Sequence, residues 1–295
     1  MSGPAPNATR FAIIGFGEVG GIFARDLRAD SAAISGIHDT AGAALERAGT
    51  LACPNAAEAA SRADVVFLSV TAGSALEAAQ SLVGGLAHAP FVVDVNSVSP
   101  AAKQAAARSV EAAGGRYVEA AVMASVPPKG LRSPMLLGGP HAAAFMELMA
   151  PFGMDLKLYS AEIGKASSVK MCRSVMVKGL EALTTECMLA ARHYGVEADV
   201  LRSLSDTLPH ENWPGLARYV ISRALLHGKR RAEEMREVAR AVEEAGIEPL
   251  ASRAIAARQD WAWKQGQAMG ADALATPELE PLLDALSKAM RHKST

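Results

Sequence analysis

The sequence predicts an α/β chain in two parts, a doubly wound parallel sheet over residues 1–163 and an all-helical domain over residues 164–295. Short apolar runs alternate with Ala-rich amphipathic stretches up to about residue 163, the pattern of βαβ units. After Gly164 no β-like run of any strength follows, and helical periodicity continues to the carboxyl terminus. The length of 295 residues, at roughly 150 per domain, also fits two domains.

Strands are expected at Phe11–Gly15, Ile34–Asp39, Val65–Val70, Phe91–Val95 and Tyr117–Ala121, with a short sixth at Met135–Gly138. The continuous runs Val65-Val66-Phe67-Leu68 and Phe91-Val92-Val93 fit central strands covered on both faces. Helices are expected between strands at Glu18–Ala29, Ala41–Ala48, Ser74–Leu82 and Pro100–Ala113. In the second part, Lys165–Tyr194 contains no Pro and one interior glycine, Gly179. It reads as a single helix, roughly 45 Å long at about 1.5 Å per residue, stopped by Gly195. Further helices are expected at Ala198–Thr207, Gly215–Leu226, Arg230–Ala245, Pro249–Gln265 and Pro277–Lys288.

Composition narrows the function. Thirty basic residues against 31 acidic ones leave a net charge of −1. That balance argues against nucleic-acid binding, which needs a basic patch, and gives no polybasic membrane anchor. No apolar run approaches the roughly 20 residues of a bilayer span, and Met1–Arg10 lacks the layout of a secretory signal. The three cysteines, Cys53, Cys172 and Cys187, form no CxxC. They read as reduced thiols of a cytoplasmic protein. The histidines form no HExxH or paired spacing, so no metal is expected.

Gly15-Phe16-Gly17-Glu18-Val19-Gly20 is a GxGxxG directly after an expected strand and before an expected helix. Gly15 allows the tight turn, Gly17 lets the backbone approach a pyrophosphate, and Gly20 lets helix pack on strand. The helix amino terminus supplies N–H groups and the positive dipole end. The next expected strand ends in Asp39, 39 − 20 = 19 residues after Gly20. An acid there bonds the ribose 2′-hydroxyl and repels a 2′-phosphate, and no Arg or Lys follows it in Thr40-Ala41-Gly42. These features predict a Rossmann-type domain that takes NAD in preference to NADP. His38 reads either as a residue flanking the adenine or as an exposed loop histidine. Two further strand ends, Ser69-Val70-Thr71-Ala72 and Asp94-Val95-Asn96-Ser97, face the same crevice. Val70, Thr71, Asn96 and Ser97 are candidates for the nicotinamide half, with ordinary turn formation as the alternative.

Gly164-Lys165-Ala166-Ser167-Ser168-Val169-Lys170 opens the long helix, with Lys170 in its second turn and Ser174 four residues on, on the same face. Composition by itself favours a solvated lysine at position 170. In a cleft beside a nicotinamide, partial burial would lower its pKa toward that of an acid/base for a substrate hydroxyl.

The run GFGEVG, the position of Asp39, Asp94-Val95-Asn96-Ser97-Val98-Ser99-Pro100 and Gly164…Lys170 occur in order. Together they resemble the β-hydroxyacid dehydrogenases, the family of 3-hydroxyisobutyrate and 6-phosphogluconate dehydrogenase-like enzymes, over essentially the whole chain. The resemblance implies NAD(P)-dependent oxidation of the hydroxyl of a small hydroxy carboxylic acid. It also implies Lys170 as catalytic acid/base and oligomers built through the helical domain. The family's D-A-P-V-S-G-G loop falls on Glu119-Ala120-Ala121-Val122-Met123-Ala124-Ser125, so Met123, Ala124 and Ser125 stand at its substrate positions. The family's asparagine is Ser174, beside Arg173, and its Lys-Asp-Leu segment falls on Glu233-Glu234-Met235, which adds Glu234. These departures resemble a subgroup with a phosphogluconate-dehydrogenase-like carboxyl-terminal domain. Residues 1–163 are thus the NAD(P)-binding domain and 164–295 the substrate and dimerisation domain. The other readings are an imine reductase of the same architecture, which Lys170 argues against, and a non-catalytic NAD-binding sensor.

Three features read more plainly. Leu208–Pro214 is an interhelix loop or, with His210 and Trp213 facing in, a pocket cap. Lys229-Arg230-Arg231 is a solvated face with intrahelical pairs such as Glu233 with Arg236, or an anion contact. Met171, Met176 and Met188 are core or dimer packing.

Overall fold

A computed structural model describes residues 9–30, 32–41, 43–44, 46, 49–208 and 210–291. Much of the helix expected over 41–48, together with Pro209, lies outside the described residues. The chain divides into two compact units, Met1–Met171 and Cys172–Thr295, with the division inside one long helix.

The first unit is a seven-stranded sheet in the order β2-β1-β3-β4-β5-β6-β7. Its strands are β1 (Arg10–Ile14), β2 (Ala33–His38), β3 (Val65–Leu68), β4 (Phe91–Asp94), β5 (Arg116–Val122), β6 (Met135–Gly138) and β7 (Leu156–Ser160). Strands β1 to β5 run parallel, as the alternating pattern predicts. Strand β6 is a correction to the parallel sheet, because it pairs antiparallel to β5. Between them lie only the turn α5 (Val126–Lys129) and a short 3₁₀ segment, too little helix to carry the chain back along the sheet. Strand β7 was not expected. It pairs parallel with β6, and its Leu158 and Tyr159 are exposed, so no buried face marks it in the sequence.

Period-two alternation sorts the central side chains onto two faces. Phe11, Ile13, Phe67 and Phe91 join Phe23 and Leu27 of α1 (Glu18–Ala29) and Phe145 of α6 (Ala142–Met149) in one core. Ala12, Ile14, Val66, Leu68 and Val92 form the other. They pack there with alanines of α2 (Ala56–Ser61), α3 (Ala75–Gln80) and α4 (Pro100–Ala112). The small side chains of the second face let its helices lie close to the sheet. Helix α4 opens on Pro100, and the Ser99 hydroxyl accepts the Ala102 N–H at 3.3 Å.

Helix α7 spans Lys165–Tyr194, as expected from the sequence. The second unit adds α8 (Glu197–Thr207), α9 (Trp213–Glu244), α10 (Leu250–Ala268), α11 (Ala271–Ala275) and α12 (Leu279–Arg291). Two helices, Gly215–Leu226 and Arg230–Ala245, were expected where α9 runs unbroken. Gly228 does not end it; the missing side chain serves packing, because a Cβ there would stand 2.3 Å from the Gln259 carbonyl oxygen of α10. Met188, Leu201, Trp213, Ile221, Leu225, Ala262, Leu282 and Leu286 form the core of this unit. Among the described residues no helix is long and apolar enough to cross a membrane.

Candidate active site

The parallel pairing of β1 to β5 brings their carboxyl ends to one edge of the sheet. After β1, Gly15 turns at φ +89°, and a Cβ there would lie 2.5 Å from the Ser69 carbonyl oxygen. The Ser69 hydroxyl donates to the Gly15 carbonyl at 2.8 Å and binds the turn to the end of β3. At Gly20 a Cβ would meet the Gly15 carbonyl at 2.0 Å, so the glycine is what lets α1 sit on the strand. At Gly17 a Cβ would meet nothing within 4 Å. The backbone at the head of α1 therefore faces open space, as a pyrophosphate cradle requires. Gly17 and Glu18 are exposed, while Phe16 and Val19 pack half-buried on the core.

Asp39 has a task the sequence does not show. Its Oδ2 accepts the Phe16 N–H at 2.6 Å and its Oδ1 accepts the Ala41 N–H at 2.8 Å. The carboxylate thus braces the glycine turn, and each oxygen keeps acceptor capacity for a ribose hydroxyl. His38 Nδ1 lies 3.0 Å from the Cys53 carbonyl oxygen, which ties β2 to the segment beside it.

At the ends of β3 and β4, Val70 and Ser97 are half-buried and Thr71 is exposed, its hydroxyl 3.3 Å from Ser74 Oγ. Asn96 is 5 % exposed, and both its side-chain Nδ2 and Oδ1 are buried without a partner. A buried amide with a free donor and a free acceptor fits the carboxamide of a nicotinamide. The Asn96 backbone is held rigidly, its N–H donating to Asp94 Oδ1 at 2.9 Å. Asp94 is itself fixed by the Tyr117 hydroxyl at 2.7 Å and by Lys103 Nζ at 2.9 Å, all three side chains being buried. Burial, with the nearby Asp94 charge, pushes the Tyr117 hydroxyl well above its usual value and keeps it a donor.

Glu119, fully buried on β5, accepts the Gly164 N–H at 2.7 Å and the Ser167 N–H at 2.6 Å. It caps the first turn of α7, and Lys170 follows half-buried in the second turn. Past the end of β5, the Met123 N–H donates to the Pro134 carbonyl at 2.8 Å. Met123 is half-buried, Ala124 and Ser125 are exposed, and Ser125 precedes α5.

In the helical unit Ser174 is buried and Arg173 exposed. Ser174 and Glu234 are joined by a residue that sequence reasoning missed. Lys178 Nζ donates to Ser174 Oγ at 3.4 Å and pairs with Glu234 at 2.8 Å, and Arg230 reaches the same carboxylate at 2.6 Å. The available signal was spacing, since 174 and 178 share a helix face. Glu233 with Arg236 is a correction: Arg236 reaches across to Asp260 on α10 instead. In the 208–214 stretch, Trp213 is buried and its Nε1–H donates to the Leu208 carbonyl at 2.9 Å. Met171 and Met188 are buried, whereas Met176 is 67 % exposed.

A glycine turn at the carboxyl edge of a parallel sheet, braced by an acid at the end of the second strand and followed by a helical unit, is the build of an NAD(P)-dependent oxidoreductase. Residues 10–98 match the family described as NADP oxidoreductase coenzyme F420-dependent. Residues 191–262 match a Domain of unknown function (DUF1932). A conserved hypothetical protein from Sinorhizobium meliloti 1021 is 34 % identical with a TM-score of 0.74, over 95 % of this chain and 96 % of that one. The conserved protein MTH1747, described as structurally similar to 3-hydroxyacid dehydrogenases, is 30 % identical with a TM-score of 0.66, over 87 % of this chain and 99 % of its own. Mycobacterium tuberculosis 3-hydroxyisobutyrate dehydrogenase shares the fold at 16 % identity and a TM-score of 0.67, over 96 % and 99 % of the two chains. The chain belongs to the β-hydroxyacid dehydrogenase family, and it is an oxidoreductase of the 3-hydroxyacid dehydrogenase type.

Proposed function

We propose that the protein transfers hydride reversibly between NAD and the hydroxyl of a small hydroxy carboxylic acid, with Lys170 as general acid/base. The observation that carries this is the Glu119 cap. It fixes the start of the helix bearing Lys170 to β5, the neighbour of β4, which ends two residues before Asn96. Gly15, Phe16, Gly17, Glu18 and Val19 would hold the pyrophosphate, Asp39 the ribose, and Val70, Thr71, Asn96 and Ser97 the nicotinamide half. Bound there, the nicotinamide supplies the redox chemistry as acceptor or donor of hydride. Lys170 Nζ takes the hydroxyl proton in oxidation and returns it to the carbonyl oxygen in reduction. The Met123-Ala124-Ser125 segment would complete the substrate contacts on the unit that carries Lys170. Asp39 favours NAD over NADP.

We further propose a cytoplasmic homodimer built on α7. Met176, Val177, Leu180 and Leu183 lie exposed along that helix, an apolar stripe that a second copy would cover.

A panel of small hydroxy acids with oxidised NAD, followed by the absorbance of the reduced cofactor, tests the reaction. Turnover supports it. Reduction of cyclic imines alone would replace it with an imine reductase, and cofactor binding without any turnover would replace it with a sensor.

A further inference from the structure

One side-chain cluster of the helical unit holds three cations, Lys178, Arg231 and Arg223, beside the carboxylates Glu181 and Glu234. Lys178 pairs with Glu234 at 2.8 Å, and Arg231 Nη1 pairs with both oxygens of Glu181 at 2.5 and 2.7 Å. Gln259, fully buried, adds its Nε2–H to Glu181 at 2.9 Å, so that carboxylate is nearly filled. A third cation, Arg223, belongs to the same cluster, its charge acting on both Glu181 and Arg231. Among the described residues Arg223 has no carboxylate partner. Its Nη1–H donates to His227 Nε2 at 2.9 Å. A guanidinium can only donate, so that ring nitrogen accepts and carries no proton. Arg223 Nε and Arg231 Nε are both buried without an acceptor. Arg223 as a whole is half-buried, but its Nε is not exposed, and buried N–H groups are normally bonded.

We infer that this cluster is a binding site for a small oxyanion, a carboxylate or a phosphate, which supplies the counter-charge for Arg223 and accepts from its Nε. The electrostatics agree in direction. Burial holds the Arg231 guanidinium below its usual value, and the like charge of Arg223 adds to that effect. An anion at Arg223 reverses the second contribution. The planar fork of a guanidinium suits either oxyanion. The source is either the acid group of the hydroxy acid, a reading that rests on the proposed reaction, or a phosphoryl group.

The test is thermal unfolding of the full chain during titration with sodium malonate or sodium phosphate, against sodium chloride at matched ionic strength. Calorimetric titration with the same two anions gives the affinity. The expected result is a saturable rise in Tm of about 3 °C or more at roughly 100 times Kd, with either anion and not with chloride. Arg223→Gln should remove the rise and weaken affinity at least tenfold. Arg108→Gln, on the exposed side of α4, should change neither. Where far-UV circular dichroism shows Arg223→Gln unfolded, Arg223→Lys decides, since it keeps the charge and loses the fork; affinity should fall several-fold. A stronger response to malonate assigns a carboxylate, and a stronger one to phosphate a phosphoryl group; both support the site. An undiminished rise in the Arg223 variant that folds, or an equal rise with chloride, overturns it. Neither NAD nor turnover enters the measurement, so its failure is separate from that of the proposed reaction.

Discussion

Glu119 accepts the backbone N–H of Ser167 at 2.6 Å from a side chain with no solvent exposure, and that of Gly164 at 2.7 Å. A helix start leaves its first N–H groups without intrahelical partners and carries the positive end of the helix dipole. The buried carboxylate and the buried helix end each supply what the other lacks. Gly138 on β6 makes the room, because a Cβ there would stand 2.5 Å from Glu119 Oε2.

Removing that cap should be costly. Glu119→Ala leaves two N–H groups buried and unbonded, at about 1–3 kcal/mol each. Urea unfolding should therefore show a loss of about 2–6 kcal/mol, and less for Glu119→Gln, which keeps one acceptor oxygen. In the folded variants kcat should drop more than NAD affinity, because the helix bearing Lys170 loses its seat while the glycine turn keeps its own bonds. Unchanged stability in Glu119→Ala would show that the cap contributes nothing.

Asp39 makes a different prediction because it does two things. It braces Phe16 N–H at 2.6 Å, and in the proposed cofactor site its charge would meet a 2′-phosphate. Asp39→Asn keeps an acceptor for the turn and removes the charge. The ratio of kcat/KM for NAD over NADP should exceed one in the wild type and fall about tenfold or more in Asp39→Asn. A wild-type preference for NADP would contradict the assignment.

The sequence made much of this architecture legible, for definable reasons. Strands β1, β3, β4 and β5 stand out because central strands bury both faces and read as apolar runs such as Val65–Leu68. The glycine motif is legible because its turn allows few alternatives. Edge strand β7 is not, since it has no buried face to write into the sequence. Gly228 misleads because a glycine that breaks a helix and a glycine that admits a neighbouring backbone look alike until the neighbour is placed. The pairs Lys178 with Glu234 and Arg231 with Glu181 join residues more than forty positions apart on different helices. No local spacing encodes them.

The stripe on α7 should matter to assembly. Leu183 is 69 % and Met176 67 % exposed on one helix, which a soluble monomer would leave open to water. The wild type should sediment as a dimer at micromolar concentration. Met176→Lys combined with Leu183→Glu should shift it to a monomer of half that mass while retaining helical circular dichroism. A wild type that sediments near 31 kDa, the mass of one chain at 30.7 kDa, refutes the dimer.

The proposed chemistry turns on Lys170. It stands in the second turn of a helix whose first turn is fixed by Glu119, and it is half-buried where its neighbour Lys165 is exposed and pairs with Glu162 at 3.6 Å. General acid–base groups contribute roughly 10² to 10⁴-fold, so Lys170→Ala should lower kcat by at least that range with NAD affinity nearly intact. Lys170→Arg should not restore it, because a guanidinium stays protonated near neutral pH and cannot accept the hydroxyl proton. Lys165→Ala is the control and should be near neutral, since it removes only an exposed pair. The comparison separates proton transfer from simple loss of helix charge, which both alanine variants share. If Lys170→Ala keeps more than about a tenth of wild-type kcat, the proton passes through another group.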